Sequence, residues 1–104
     1  MPDLPIACTL DPAALDERRA LLRQVLGGVT EVIRSPTGLV LRFGAGGVSV
    51  AALGRIIELE RACCPFLEFR LEAASNNGAV VLHLTGPDGS GEFLVHELGI
   101  PGSA

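Results

Sequence analysis

The sequence predicts a two-layer α+β domain. It comprises an antiparallel sheet of about five strands, two main helices on one face, and a short C-terminal helix. Three observations lead there. Apolar residues recur at helical spacing in two long stretches and alternate in several short ones. The order helix–strand–strand occurs twice, with Gly38 and Gly78 marking equivalent turns. The chain has 104 residues, 48% of them hydrophobic, which suits a single domain over residues 1–104 with one core. Two αββ units sharing one sheet satisfy all three observations; a ferredoxin-like arrangement is the alternative.

Each element has a local cause. In residues 5–10 (PIACTL), Ile6, Cys8 and Leu10 alternate with Ala7 and Thr9, which predicts a strand with Cys8 on its apolar face. Asp11-Pro12 starts a helix to about Leu26, because Asp accepts from the first amides and Pro suits the first turn. Its stripe is Leu15, Leu22 and Leu26, with Ala14, Leu21 and Val25 beside them, and Gly27-Gly28 ends it. Val29–Arg34 and Leu39–Phe43 form a hairpin around Ser35-Pro36-Thr37-Gly38, with Leu39, Leu41 and Phe43 on one face. Gly44–Gly47 links the two units.

Ser49 caps a second helix from Val50 to about Cys63, with Leu53, Ile56, Ile57, Leu59 and Cys63 as its stripe. Pro65 stops this helix and disfavours helical geometry at Cys64. Leu67–Ala73 alternates strictly. An Asn77-Gly78 turn of the mirror-image type then sets Leu71 opposite Leu84, Ala73 opposite Leu82 and Glu72 opposite His83. After the loop Gly86–Gly91, capped by Asp88 or Ser90, Glu92–Leu98 is the final helix.

Composition excludes several functions. Net charge is −4, and basic residues are scattered singly apart from Arg18-Arg19. With no Trp, no Tyr and four Phe, the chain offers no basic cluster for phosphate neutralisation and few stacking platforms, so it is a poor nucleic-acid binder. No run approaches the ~20 apolar residues of a membrane span. The first residues lack the basic and apolar regions of a secretory signal. The expected compartment is the cytoplasm, where Cys8, Cys63 and Cys64 stay reduced.

Chemistry concentrates in Glu60-Arg61-Ala62-Cys63-Cys64-Pro65-Phe66. On a helix Glu60 shares an edge with Cys64, four residues on. If the first strand joins the same sheet, Cys8 converges on the pair. Three thiolates make a cage for a soft ion such as Hg²⁺, Zn²⁺ or Cu⁺, with Glu60 behind them or as a fourth group. A helix C-terminus and Glu60 both oppose a bare thiolate, and Arg61 points away, so the spacing favours metal binding over a cysteine nucleophile. A bound cation reverses that balance by supplying the positive charge itself.

Two other readings stand beside this one. Free cysteine is often a small core hydrophobe. The chain is then a non-catalytic interaction module, a homodimer in its expected form. The third reading is an enzyme using a cysteine nucleophile or thiol redox chemistry, for which no other catalytic residue is assigned. His83 reads as a cross-strand partner of Glu72, and His96 as a favourable charge near a helix C-terminus. The glycines of GPDGSG lack the Lys of a phosphate-binding loop.

Three segments carry a resemblance: I-x-C-T-L at Ile6–Leu10, E-x-x-C-C-P-F at Glu60–Phe66 and L-x-G-P-x-G at Leu84–Gly89. Together they resemble a family of short, uncharacterised bacterial proteins. The C-C-P-F segment is also similar to one found alongside heavy-metal-responsive regulators. The resemblance implies that Cys8, Cys63 and Cys64 belong to one site and that the site takes mercury-like soft metals.

Overall fold

The structure is a computed structural model and describes residues 12–98. Helix α1 (Pro12–Leu26) leads into hairpin β1 (Val29–Ser35) and β2 (Gly38–Phe43). Helix α2 (Val50–Cys63) leads into hairpin β3 (Glu68–Ala73) and β4 (Val80–Thr85), and α3 (Ser90–Glu97) closes the described chain. This is the αββ pseudo-repeat followed by a short helix. The expected strand at residues 5–10 lies outside the described residues.

The four strands form one antiparallel sheet in the order β1-β2-β4-β3. The second strands of the two hairpins pair at the centre, with Leu39 opposite Leu84 and Leu41 opposite Leu82. Inner-face residues Leu39, Leu41, Phe43, Val80, Leu82 and Leu84 are all buried. They meet Leu22 and Val25 of α1, Leu53 and Ile56 of α2, and Leu94 of α3 in one core. The outer face carries Arg42, Arg70, Glu72 and His83 together with Ile33, Val40 and Val81. Among the described residues no helix is long and apolar enough to cross a membrane.

Local chemistry sets the ends of α2. Ser49 Oγ accepts the Ala52 amide at 3.2 Å, satisfying one donor that the first turn leaves open. At the other end Cys64 leaves helical geometry (φ −125°, ψ 76°), as the following proline demands.

Two expectations are corrected. Leu71 lies opposite Leu82 and Ala73 opposite Val80, two residues from the register that an Asn77-Gly78 turn gives. The mirror-image turn is centred instead on Asn76 and Asn77 (φ 57° and 56°), with the Gly78 amide donating to the Ser75 carbonyl at 3.1 Å. Asparagine tolerates this left-handed region. The shift is even, so the apolar faces still coincide.

The second correction concerns α3. It begins at Ser90, and its N-cap is Gly89 (φ 96°) with no side-chain cap. Ser90 Oγ is buried and finds no hydrogen-bond partner among the described residues. The helix is instead held by the β1–β2 turn, whose Pro36 carbonyl accepts the Gly89 and Gly91 amides at 3.0 and 3.2 Å. Approach here is so close that a Cβ on Gly91 would stand 1.8 Å from the Ser35 oxygen.

Candidate functional site

The site forms where α2 breaks, beneath α1. Glu60 lies one turn before Cys64, in phase with Leu53 and Ile56, so it points into the core rather than to water. It is 0% exposed, as is Cys64. A lone buried carboxylate is prohibitively expensive, and this one is paired. Arg18 of α1, itself 3% exposed, donates to Glu60 Oε1 from Nε at 3.0 Å and from Nη2 at 2.7 Å. The other oxygen, Oε2, accepts from Cys64 Sγ at 3.7 Å. Arg18 Nη1 stands 3.8 Å from Glu97 Oε1 of α3. One buried row therefore links all three helices.

Arg18 offsets Glu60 directly, and a thiolate at Cys64 would add a further negative charge to the row. Burial pushes the Cys64 thiol up to about 12, and the negative charge of Glu60 adds to the effect. Arg18 offsets part of it. Reactive cysteines sit beside uncompensated cations or at helix N-termini. Cys64 lies at a helix C-terminus, and the Arg18 guanidinium is bonded to Glu60 rather than to the sulfur.

Of the four residues singled out from sequence, the structure brings Glu60 and Cys64 together. Cys63 ends α2 immediately before Cys64, but its side chain lies outside the described part, as does Cys8. Among the described residues no three His, Cys, Asp or Glu side chains converge as metal ligands.

Arg18 is the functional residue that sequence reasoning missed. Arg61, near the cysteines in sequence but expected to point away from them, is exposed; the cation that reaches Glu60 comes from 42 positions away. Its signal was present, since Arg18 precedes Leu22 by four and Val25 by seven and so lies on the stripe that buries α1. A charged residue on a core stripe needs a buried partner, and Glu60 holds the matching position on α2.

The histidines stay apart from this row. His83 Nε2 and Glu72 Oε1 lie 2.5 Å apart on the outer sheet face, with Arg70 Nη2 at 3.4 Å. Hydrogen bonding to His83 and the nearby charges of His83 and Arg70 hold the Glu72 carboxyl below its ordinary value. Glu72 faces Val81 in register and reaches His83 along the diagonal. His96 is exposed on α3. The Gly86–Gly91 loop forms no anion cradle, because its Gly86, Gly89 and Gly91 amides are taken by Thr37 and Pro36 carbonyls.

Fold and site define a class: a small two-layer α+β domain with a buried thiol–carboxylate–guanidinium row at the joint between its second helix and its sheet. Comparison of the chain with protein-family models, curated proteins and solved structures finds no match.

Proposed function

We propose that the chain binds a soft metal ion of the mercury, copper(I) or zinc type at Cys64, with Cys63 and Cys8 as further thiol donors and Glu60 beside them. The observation that carries this reading is the Cys64 sulfur held 3.7 Å from a fully buried carboxylate oxygen. That contact is a thiol proton shared toward an anion. A thiophilic cation replaces the proton: the S–H bond breaks, a sulfur–metal bond forms, and the proton leaves to solvent. Arg18 keeps Glu60 compensated whether the ion is present or absent. The cation must outcompete a tightly held proton, which favours Hg²⁺ and Cu⁺, the ions with the strongest thiolate bonds, over Zn²⁺. Three reduced thiols suit the cytoplasm, and the C-C-P-F resemblance points to the same chemistry.

The test is titration of the reduced protein with Hg²⁺ against a competing small monothiol, read by thiolate-to-metal charge-transfer absorption. One ion per chain is expected, weakened strongly in Cys64→Ser, Cys63→Ser and Cys8→Ser. Unchanged stoichiometry and affinity in Cys63→Ser and Cys64→Ser would overturn the reading.

One observation favours a second reading. Cys64 is 0% exposed within the core cluster, as a purely packing cysteine would be. The chain would then be an interaction module, expected to homodimerise. Cys64→Ala would cost on the order of 1 kcal/mol and leave metal titrations and sedimentation unchanged.

A further inference from the structure

A groove of about 1050 Å³ runs between α1 and the end of α3. Leu22 and Leu98, both largely buried, contribute its apolar lining. Arg19 and Arg23, one helical turn apart on α1, also line it. Arg23 makes no ion pair among the described residues. Arg19 pairs among the described residues with Asp16 alone, at 3.8 Å, with both side chains largely in water. The α3 side offers Glu97, whose carboxylate keeps 27% of its side chain accessible. Arg18 lines the groove as well, and Arg18 is bonded to the Glu60 that touches Cys64. The groove thus has two cations one turn apart, anions near by and an apolar lining, with the Cys64 thiol behind Arg18 and Glu60.

We infer that this groove binds a small zwitterionic peptide bearing more carboxylates than ammonium groups, and that a thiol peptide of this class delivers the soft ion to Cys64. Arg19 and Arg23 take the carboxylates, since a guanidinium matches a carboxylate in a two-point fork. Glu97 and Asp16 take the ammonium, and the aliphatic middle covers Leu22 and Leu98. The delivery part rests on the soft-metal reading. There the step is a ligand exchange. One peptide thiolate leaves the ion, a Cys64 sulfur–metal bond forms in its place, and the departing thiolate takes up the Cys64 proton. No electron changes hands.

The experiment uses the reduced full chain labelled with ¹⁵N. S-methylglutathione, which has the charges and no thiol, is titrated first. Saturable shifts confined to residues 16–27 and 96–98 are expected. The double variant Arg19→Gln, Arg23→Gln should bind about tenfold or more weakly with its fold unchanged, because both side chains lie at the surface. No saturable shift at millimolar S-methylglutathione, or equal affinity in the double variant, would overturn the groove. The Hg²⁺ bis-glutathione complex is then supplied as donor. Transfer should be slower to the double variant than to wild type, while aqueous Hg²⁺ loads both alike. Equal transfer rates overturn delivery and leave the metal site standing. S-methylglutathione binding with no Hg²⁺ uptake at Cys64 supports the groove and overturns both delivery and the metal reading.

Discussion

Raising the pH should destabilise this protein through a single side chain. Cys64 has its thiol pushed from 9.0 up to about 12, so the folded state holds a proton that the unfolded chain releases. A group whose folded value is raised contributes stability that is complete below the unfolded value and is lost as pH climbs through the folded one. The window is therefore roughly pH 9 to 12. Each pH unit across it removes about 1.4 kcal/mol, about 4 kcal/mol in all. That is a large share of the 5–15 kcal/mol typical of a folded domain. The sequence makes the measurement clean. All eight basic residues are arginine and there is no tyrosine, so the three cysteines are the only side chains that titrate in this window.

Urea unfolding of the reduced protein at intervals from pH 8 to 11 gives the slope directly. Thiolate absorbance, with no phenolate beneath it, reports the titration itself. Cys64→Ala should be less stable than wild type at pH 7 and should lose the added slope above pH 9. A flat profile to pH 11, or equal slopes in wild type and Cys64→Ala, would refute the claim that Cys64 is sealed beside Glu60.

Other perturbations probe the same architecture. Arg18→Met should cost about 3–5 kcal/mol in urea unfolding by stranding Glu60, whereas Arg18→Met with Glu60→Leu should recover most of it; a double variant as damaged as the single one would contradict this. Gly91→Ala should lower the thermal midpoint far more than any helix propensity predicts, because its Cβ would overlap the Ser35 carbonyl. Asn77→Ala should cost about 1 kcal/mol by denaturation, since alanine has no affinity for the left-handed backbone there, and Asn77→Gly should be neutral or better.

The class of fold was legible because burial and periodicity coincide. Leu39, Leu41 and Phe43 alternate in sequence and are buried together, and Ser49 and Pro65 bracket α2 by chemistry that acts within a few residues. Register was not legible. A strand pairing displaced by two residues presents the same face to the core, so alternation in Leu67–Ala73 and Val80–Leu84 fits either arrangement. The choice falls to turn geometry, and three candidate left-handed residues stand in a row at Asn76-Asn77-Gly78. Sequence favours the Asn-Gly pair; the fold uses Asn76 and Asn77. The start of α3 escaped for a related reason, since the Gly89 and Gly91 amides are satisfied by the Pro36 carbonyl across the fold rather than by a neighbouring side chain.

The site was half legible, and the missing half changes its chemistry. Sequence places Glu60 one turn from Cys64, which by itself argues for a thiol repelled by its neighbour and held at the negative end of a helix. With Arg18 added, the buried carboxylate has a guanidinium bonded to it inside the core. The consequence is not activation of the thiol. A guanidinium placed directly on the sulfur would stabilise a thiolate and make a nucleophile. Placed instead on the far oxygen of Glu60, it fixes an acceptor for the thiol proton and leaves the sulfur neutral. On the soft-metal proposal such a sulfur suits a soft cation, because the ion brings its own charge and bonds sulfur more strongly than it bonds oxygen. The Arg18–Glu60 pair thus makes Cys64 a poor attacking group, and the soft-metal proposal asks of it only that it act as a ligand.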